Sequence, residues 1–171
     1  MSAVVDLVPV GGDDAGRALR TTFGRFPSGV VALCAQVDGA PVGMAASSFT
    51  SLSLDPPLVL VCVDRASTTW PRLRRAARLG VSVLGEAHDA AARQLASRTA
   101  DRFAGLELAT SPDGALLVSG ASAWLDCSVE DELPGGDHVI VVLRVHGHRA
   151  LEDQGPLVFH ASGFGRLRTG D

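Results

Sequence analysis

Hydroxyl side chains fall into two groups within the stretch Gly43 to Trp70, GMAASSFTSLSLDPPLVLVCVDRASTTW. In the first, Ser47 and Ser48 are followed by Thr50, Ser51 and Ser53; in the second, Ser67, Thr68 and Thr69 stand together. Asp55-Pro56-Pro57 closes the first group and cannot continue a strand or helix, so the sequence places these hydroxyls in a loop. Leu58 to Val63, LVLVCV, has no polar residue and reads as a strand buried on both faces. Asp64 to Thr69 reads as a strand-to-helix turn, with Ser67 or Thr68 as N-cap and Pro71 in the first turn. The first N–H groups of a helix lack helical partners, and with neighbouring hydroxyls they can hold a phosphate without a glycine-rich loop. Serine and threonine also serve turns and caps alone, so the spacing leaves both uses open.

What is missing narrows the chemistry. The chain has no Lys, Tyr or Asn, hence no Schiff-base lysine and no tyrosine acid. Ser47 and Ser48 lack the G-x-S-x-G elbow and no Ser-His-acid set is apparent, which argues against hydrolysis. There is no G-x-G-x-x-G after a strand and no Walker sequence. His146-x-His148 offers two imidazoles on one strand face without a third ligand nearby, and reads as solvated. His88 falls in a turn and reads as surface. His138 differs, because Gly136-Asp137 sets it at the mouth of a strand. Cys34, Cys62 and Cys127 are odd in number, far apart and each inside an apolar segment, the pattern of buried free thiols.

The elements that must position these groups follow from the chain in order. Residues 1–12 read as a loose arm. Behind an acidic cap at Asp13-Asp14, the positions Ala15, Ala18, Leu19, Thr22, Phe23 and Phe26 follow helical spacing up to Pro27 and Gly29, giving an amphipathic helix packed on the body of the protein. Val30–Val37 and Pro41–Ala46 flank Asp38-Gly39 as a hairpin. Thr69–Ala77 and Ala87–Ser97 read as short helices on either side of a strand at Leu79–Leu84. The loop Ser97-Arg98-Thr99-Ala100-Asp101-Arg102-Phe103 adds hydroxyls and two cations. Over Ala121–Glu130, Ala123, Leu125, Cys127 and Val129 point to a core while Trp124, Asp126, Ser128 and Glu130 point to water. Leu133–Asp137 turns the chain into a strand at His138–His148, Pro156–His160 is a last strand, and Ser162-Gly163-Phe164-Gly165 ends the ordered part. Mostly antiparallel strands with few short helices imply a mainly β, closed or split barrel. Ile140 and Val142 lie opposite the core-facing Val139, Val141 and Leu143, and call for cover that a second copy would give.

Composition bounds the rest. A chain of 171 residues suits one domain able to bury roughly 70% of its unfolded surface, so it needs no disulfide or metal staple. A net charge of −4 argues against a general nucleic-acid binder. No apolar run approaches the ~20 residues of a membrane span. The N-terminus, MSAVVDLVPVGGDD, lacks the basic and long apolar regions of a signal peptide, which points to the cytoplasm. Missing Lys, Tyr and Asn, with abundant Ala, Arg, Gly and Val, is what a GC-rich bacterial genome produces. The Arg72, Arg74, Arg75 and Arg78 group reads as a solvated helix face.

Taken whole, G-x-x-A-S-S-F-x-S-x-S-x-D-P-P-L-V from Gly43 and C-V-x-x-x-S from Cys62 resemble the short-chain flavin reductases that serve two-component monooxygenases. F-P-S-G-V at 26–30, G-D-H at 136–138 and P-L-V-F-H-x-S-G-F at 156–164 extend the resemblance from about Leu19 to Leu167. It implies an antiparallel split β-barrel over residues 13–167 with a tail at 168–171, binding FAD or FMN and taking hydride from NADH or NADPH. By the same resemblance, Ala46, Ser47 and Ser48 line the flavin ring and ribityl chain, Cys62 and Val63 also bind the cofactor, and Asp64 faces the same pocket. Ser67 and Thr68 hold phosphate, Ser97 and Arg102 extend that site, and Phe103 flanks the ring. Gly163 and Phe164 close the pocket, from the second subunit of a homodimer, and His138 orients the nicotinamide side. The partner implied is a separate flavin-dependent monooxygenase. A non-catalytic flavin- or haem-binding barrel, and a flavin enzyme acting directly on an organic substrate, are the alternatives.

Overall fold

The computed structural model describes residues 3–12 and 14–167. Asp13, half of the expected helix cap, and the expected tail at 168–171 lie outside them. The chain is mainly β, and every strand pair is antiparallel.

The centre of the fold is β2 (Val31–Val37), where the run from Val31 to Ala35 is buried without a break. Its odd residues, Val31, Leu33, Ala35 and Val37, enter one apolar cluster, while Ala32 and Cys34 enter a second on the other face. The strand expected to be buried on both faces, β5 (Pro57–Asp64), instead alternates: Val59, Val61 and Val63 are buried, while Leu58, Leu60 and Cys62 are only half-buried. An all-apolar run therefore marks strand but not which strand is central. Burial pushes the Cys34 and Cys127 thiols up to about 12. The Cys62 thiol is less covered than expected.

The hairpin from β2 to β3 (Ala40–Ala46) turns on Asp38 and Gly39, both with positive φ, as a two-residue turn requires. With β4 (Thr50–Leu54), β6 (Leu79–Val83), β9 (Ala123–Gly135) and β10 (His138–Ala150), these strands make one seven-stranded sheet in the order β3-β2-β6-β9-β10-β5-β4. Two short strands at one end, β7 (Leu108–Thr110) and β8 (Leu116–Val118), were not expected. Beside them β1 (Ser28–Gly29), β11 (Leu157–His160) and β12 (Gly163–Arg166) form a three-stranded sheet. Gly80 of β6 is where β8 crosses: a Cβ there would lie 1.8 Å from the Leu116 carbonyl oxygen.

Several expectations need correcting. Thr50, Ser51 and Ser53 are not in a loop but on β4, paired with β5 and broken by a bulge between Ser51 and Ser53. Leu133 to Gly135 do not turn the chain; β9 continues through them, and the turn is confined to Gly136 and Asp137. β6 pairs with β9 only over Ala123–Cys127, so beyond that point β9 has one free edge, where Pro134 can sit without breaking a ladder. Gly163 to Arg166 form β12, a strand paired with β11 that the sequence did not show. Asp126 is buried, not wet, and pairs with Arg78. His88 is half-buried: its Nδ1 accepts from the Gly85 N–H and its Nε2–H donates to the Ser119 carbonyl. Most tellingly, helix α1 (Ala15–Phe23) has no buried residue, so it does not pack its apolar face on its own barrel.

Candidate functional site

At the C-terminal end of β5 the chain makes a tight turn. Asp64 Oδ1 accepts from the Ala66 N–H at 2.7 Å, and the Asp64 carbonyl accepts from the Ser67 N–H. Ser67 Oγ then accepts from the N–H groups of Thr69 and Trp70, at 3.3 and 3.2 Å, so it caps helix α2 (Trp70–Leu73) from two residues before the helix-flanking Thr69. Because Ser67 Oγ accepts both bonds, its own proton remains free to donate.

Arg102 fixes the opposite wall. Its Nε donates to the Ser97 carbonyl at 2.7 Å; its Nη1 donates to the Gly43 carbonyl at 2.8 Å and to Thr69 Oγ1 at 2.7 Å. One guanidinium thus ties β3, the turn before α2 and the end of helix α3 (Asp89–Ala96) into a frame. Between these walls lies a cleft of about 450 Å³, lined by Met44 and Ala45 of β3, Asp64 and Ala66–Thr69 of the turn, Leu95 and Ala96 of α3, and Arg98 and Arg102. Its polar groups are hydroxyls and two guanidiniums against one carboxylate, a lining suited to an anion with several oxygens.

A smaller hollow of about 140 Å³ is lined by Val30, Ala45, Ala46, Ser47, Ala92, Ala96, Phe159 and Phe164. Ala45 and Ala96 belong to both spaces, so a polar cleft and an apolar, aromatic hollow adjoin. The Phe159 and Phe164 rings meet at 5.3 Å with a 56° tilt, and Arg93 stands 4.7 Å above Phe164.

His138 opens β10 directly opposite Asp64 of β5, one strand away from the cleft wall. Its Nδ1 lies 2.7 Å from Asp137 Oδ1, and 42% of its side chain is exposed. The hydrogen bond and charge of His138 hold the Asp137 carboxyl below the usual carboxylate range. Arg65 joins the same corner, its N–H donating to the Asp137 carbonyl and its Nε to the His138 carbonyl.

A family model described as a flavin reductase like domain matches residues 23–168. The chain belongs to the flavin reductase family. A flavin reductase of Pseudomonas putida is 38% identical over 147 residues, 85% of this chain and 86% of that protein. The reductase subunit HsaB of a flavin-dependent monooxygenase from Rhodococcus jostii (strain RHA1) is 38% identical over 144 residues, 84% of this chain and 74% of that one. Among solved structures, the NADH:FAD oxidoreductase SgcE6 of Streptomyces globisporus C-1027, in complex with NAD and FAD fragments, has a TM-score of 0.86 at 35% identity, covering 96% of this chain and 98% of that one.

Of the residues that the flavin-reductase motifs singled out, the fold brings Asp64, Ser67, Thr68 and Arg102 to the larger cleft and Ala46, Ser47 and Phe164 to the hollow. Ser97 adjoins the cleft through Arg102, and its Oγ accepts from the Thr99 and Ala100 N–H groups. The others stand elsewhere. Ser48 Oγ accepts from the Cys62 N–H at 2.9 Å and donates to the Cys62 carbonyl at 3.0 Å, so its hydroxyl stitches the loop to β5. Val63 is in the core, and Gly163 pairs with His160. Phe103 packs beneath Gly43, where any Cβ would come within 2.8 Å of its ring and of Cys34 Sγ. The hydroxyl cluster and the loop cations did signal Thr69 and Arg98. Ala45 and Ala96 carried no signal, since they matter only as small residues at a junction.

Proposed function

We propose that the protein is an NAD(P)H:flavin oxidoreductase that reduces FAD or FMN and passes the reduced flavin to a separate monooxygenase. The observation that carries this is the junction at Ala45 and Ala96, where a cleft suited to phosphate opens into an apolar hollow suited to a flat ring. A flavin fits these residues: Ser67, Thr68, Arg98 and Arg102 would hold its phosphate end, and Ala46, Ser47 and Phe164 its ring. Bound there, the flavin supplies the hydride-accepting centre, and the nicotinamide supplies the hydride. The protein's part is to hold the two in register and keep water out of the hollow. Ser67 donates its free proton to a phosphate oxygen. Ser48 acts indirectly, by holding the loop that carries Ser47 against β5. His138, one strand from the cleft, orients the nicotinamide side.

We place this activity in one domain over residues 13–167, with an N-terminal arm at 1–12 and a tail at 168–171, working as a homodimer in a bacterial cytoplasm. The unpaired thiols suit a reducing compartment. The dimer reading rests on a surface other than the one expected from sequence. Val142 is only 7% exposed within its own chain, and Phe164 lines one hollow with its own Ser47. Uncovered apolar groups do include Val8 on the arm, Phe23 at the end of α1 and Phe26 just beyond it, at 89%, 68% and 79% exposure. A second copy is the cover they fit.

Anaerobic mixing with NADH and added FAD or FMN tests the activity: rapid bleaching of the flavin is expected, and tight flavin binding without bleaching would leave a binding module. Ser67→Ala should weaken flavin binding about ten-fold, the value of one hydrogen bond to a charged group. His138→Ala should lower turnover with little change in flavin affinity.

A further inference from the structure

A second cavity, of about 360 Å³, opens at the far end of the β9–β10 hairpin from His138, roughly 35 Å along the strand at ~3.3 Å per residue. Its floor is a buried ion pair: Arg78 Nε donates to Asp126 Oδ1 at 2.7 Å, and the arginine side chain is 20% exposed. Ser111 Oγ donates to the other Asp126 oxygen at 2.6 Å, and Arg78 Nη2 reaches Asp113 at 3.4 Å. The carboxylate of Asp126 is therefore satisfied. Arg78 Nη1 and the guanidinium of Arg149 have no protein acceptor among the described residues, and both residues line the cavity.

A β-bulge builds this arrangement. Val145 pairs with Cys127, but the next register pair is Gly147 with Asp126, because His146 is extruded as the extra residue. A regular ladder would set His146 over Asp126 and His148 beside Trp124. The bulge sets Gly147 over Asp126 and Arg149 beside Trp124 instead, and such re-aiming of side chains is what bulges do at ligand sites. With no side chain at Gly147, whose added Cβ would meet only Asp126 Cβ at 3.8 Å, the way to the floor stays open. Trp124, anchored by its Nε1–H to the Val118 carbonyl at 2.8 Å, and the apolar Leu117 wall the cavity. The result is a flat aromatic wall beside two cations with unused donors, at the lower end of the ~300–1,000 Å³ of small-molecule sites.

We propose that this cavity binds a small aromatic carboxylate, its ring against Trp124 and its carboxylate on Arg149 and the free edge of Arg78. The site is separate from the flavin cleft and shares no lining residue with it. Benzoate is the probe, titrated calorimetrically into the flavin-saturated protein, with neutral benzamide as its isostere. Benzoate should bind with a Kd of about 1 mM or below, and benzamide about ten-fold more weakly, since a charged hydrogen bond is lost. Arg149→Ala should weaken benzoate about ten-fold. Gly147→Val should abolish binding by filling the opening. Both variants should keep wild-type flavin affinity and NADH-driven flavin reduction, which shows that they fold. No benzoate binding up to about 10 mM, equal binding of benzamide, unchanged affinity in the variants, or displacement of benzoate by flavin would each overturn the assignment.

Discussion

Strand β2 and helix α1 are written in equally regular apolar patterns, and they end in opposite surroundings. Five consecutive β2 residues are buried, shared between two clusters, whereas no residue of α1 is buried and Phe23 stands out into solvent. Periodicity thus reports that a face needs cover. What supplies the cover is a separate question, answered within the chain for β2 and, on our reading, by a second chain for α1.

The contrast can be broken or sharpened by substitution. Gly80→Val, on the buried side, drives a side chain into the Leu116 backbone, which has no flexible end to yield, and should lower unfolding stability by at least about 3 kcal/mol in urea titration. Asp126→Ala leaves the largely buried Arg78 with only its longer 3.4 Å contact to Asp113, and should cost about 3 kcal/mol by the same measurement; a loss below that of an ordinary surface change would show that water reaches the pair. Ser48→Ala removes both bonds to Cys62 and should cost ~1–2 kcal/mol, lowering the melting temperature while leaving flavin affinity less affected than Ser67→Ala does. Phe23→Asp should change protomer stability by less than ~0.5 kcal/mol, as at any open surface, yet convert a species of twice the chain mass into one of single mass in sedimentation. A dimer that survives Phe23→Asp would move the interface away from α1.

How much of this the sequence could show differs from place to place for physical reasons. The β2–β3 hairpin was readable because Asp38-Gly39 accepts the positive φ values the turn demands. The turn at Asp64 to Thr69 was readable because Ser67 can cap and Pro71 can open a helix. β4 was mistaken for loop because an outer strand with exposed faces tolerates serine as readily as a loop does. Pro134 and Gly135 were mistaken for a turn because local composition does not reveal that β6 has already left β9. The Arg78–Asp126 pair joins positions far apart in sequence, and strand alternation alone assigned Asp126 to water. In the site, Ser67 was found together with its capping role, whereas Arg102 and Ser48 were found without the structural parts they play. Arg102 is a strut held by three protein acceptors, and Ser48 is a stitch, facts that only the partners' positions supply.

The bulge in β4 bears on how the chain keeps to itself while it is made and folded. β4 is the last strand of the large sheet, with Leu52 and Leu54 exposed, and an unpaired strand edge beside apolar side chains is a template for aggregation. The strand is only five residues long, and its register slips between Ser51 and Ser53. A foreign strand therefore meets no continuous ladder of free N–H and C=O groups, and fibril-like growth from this edge is interrupted before it can propagate.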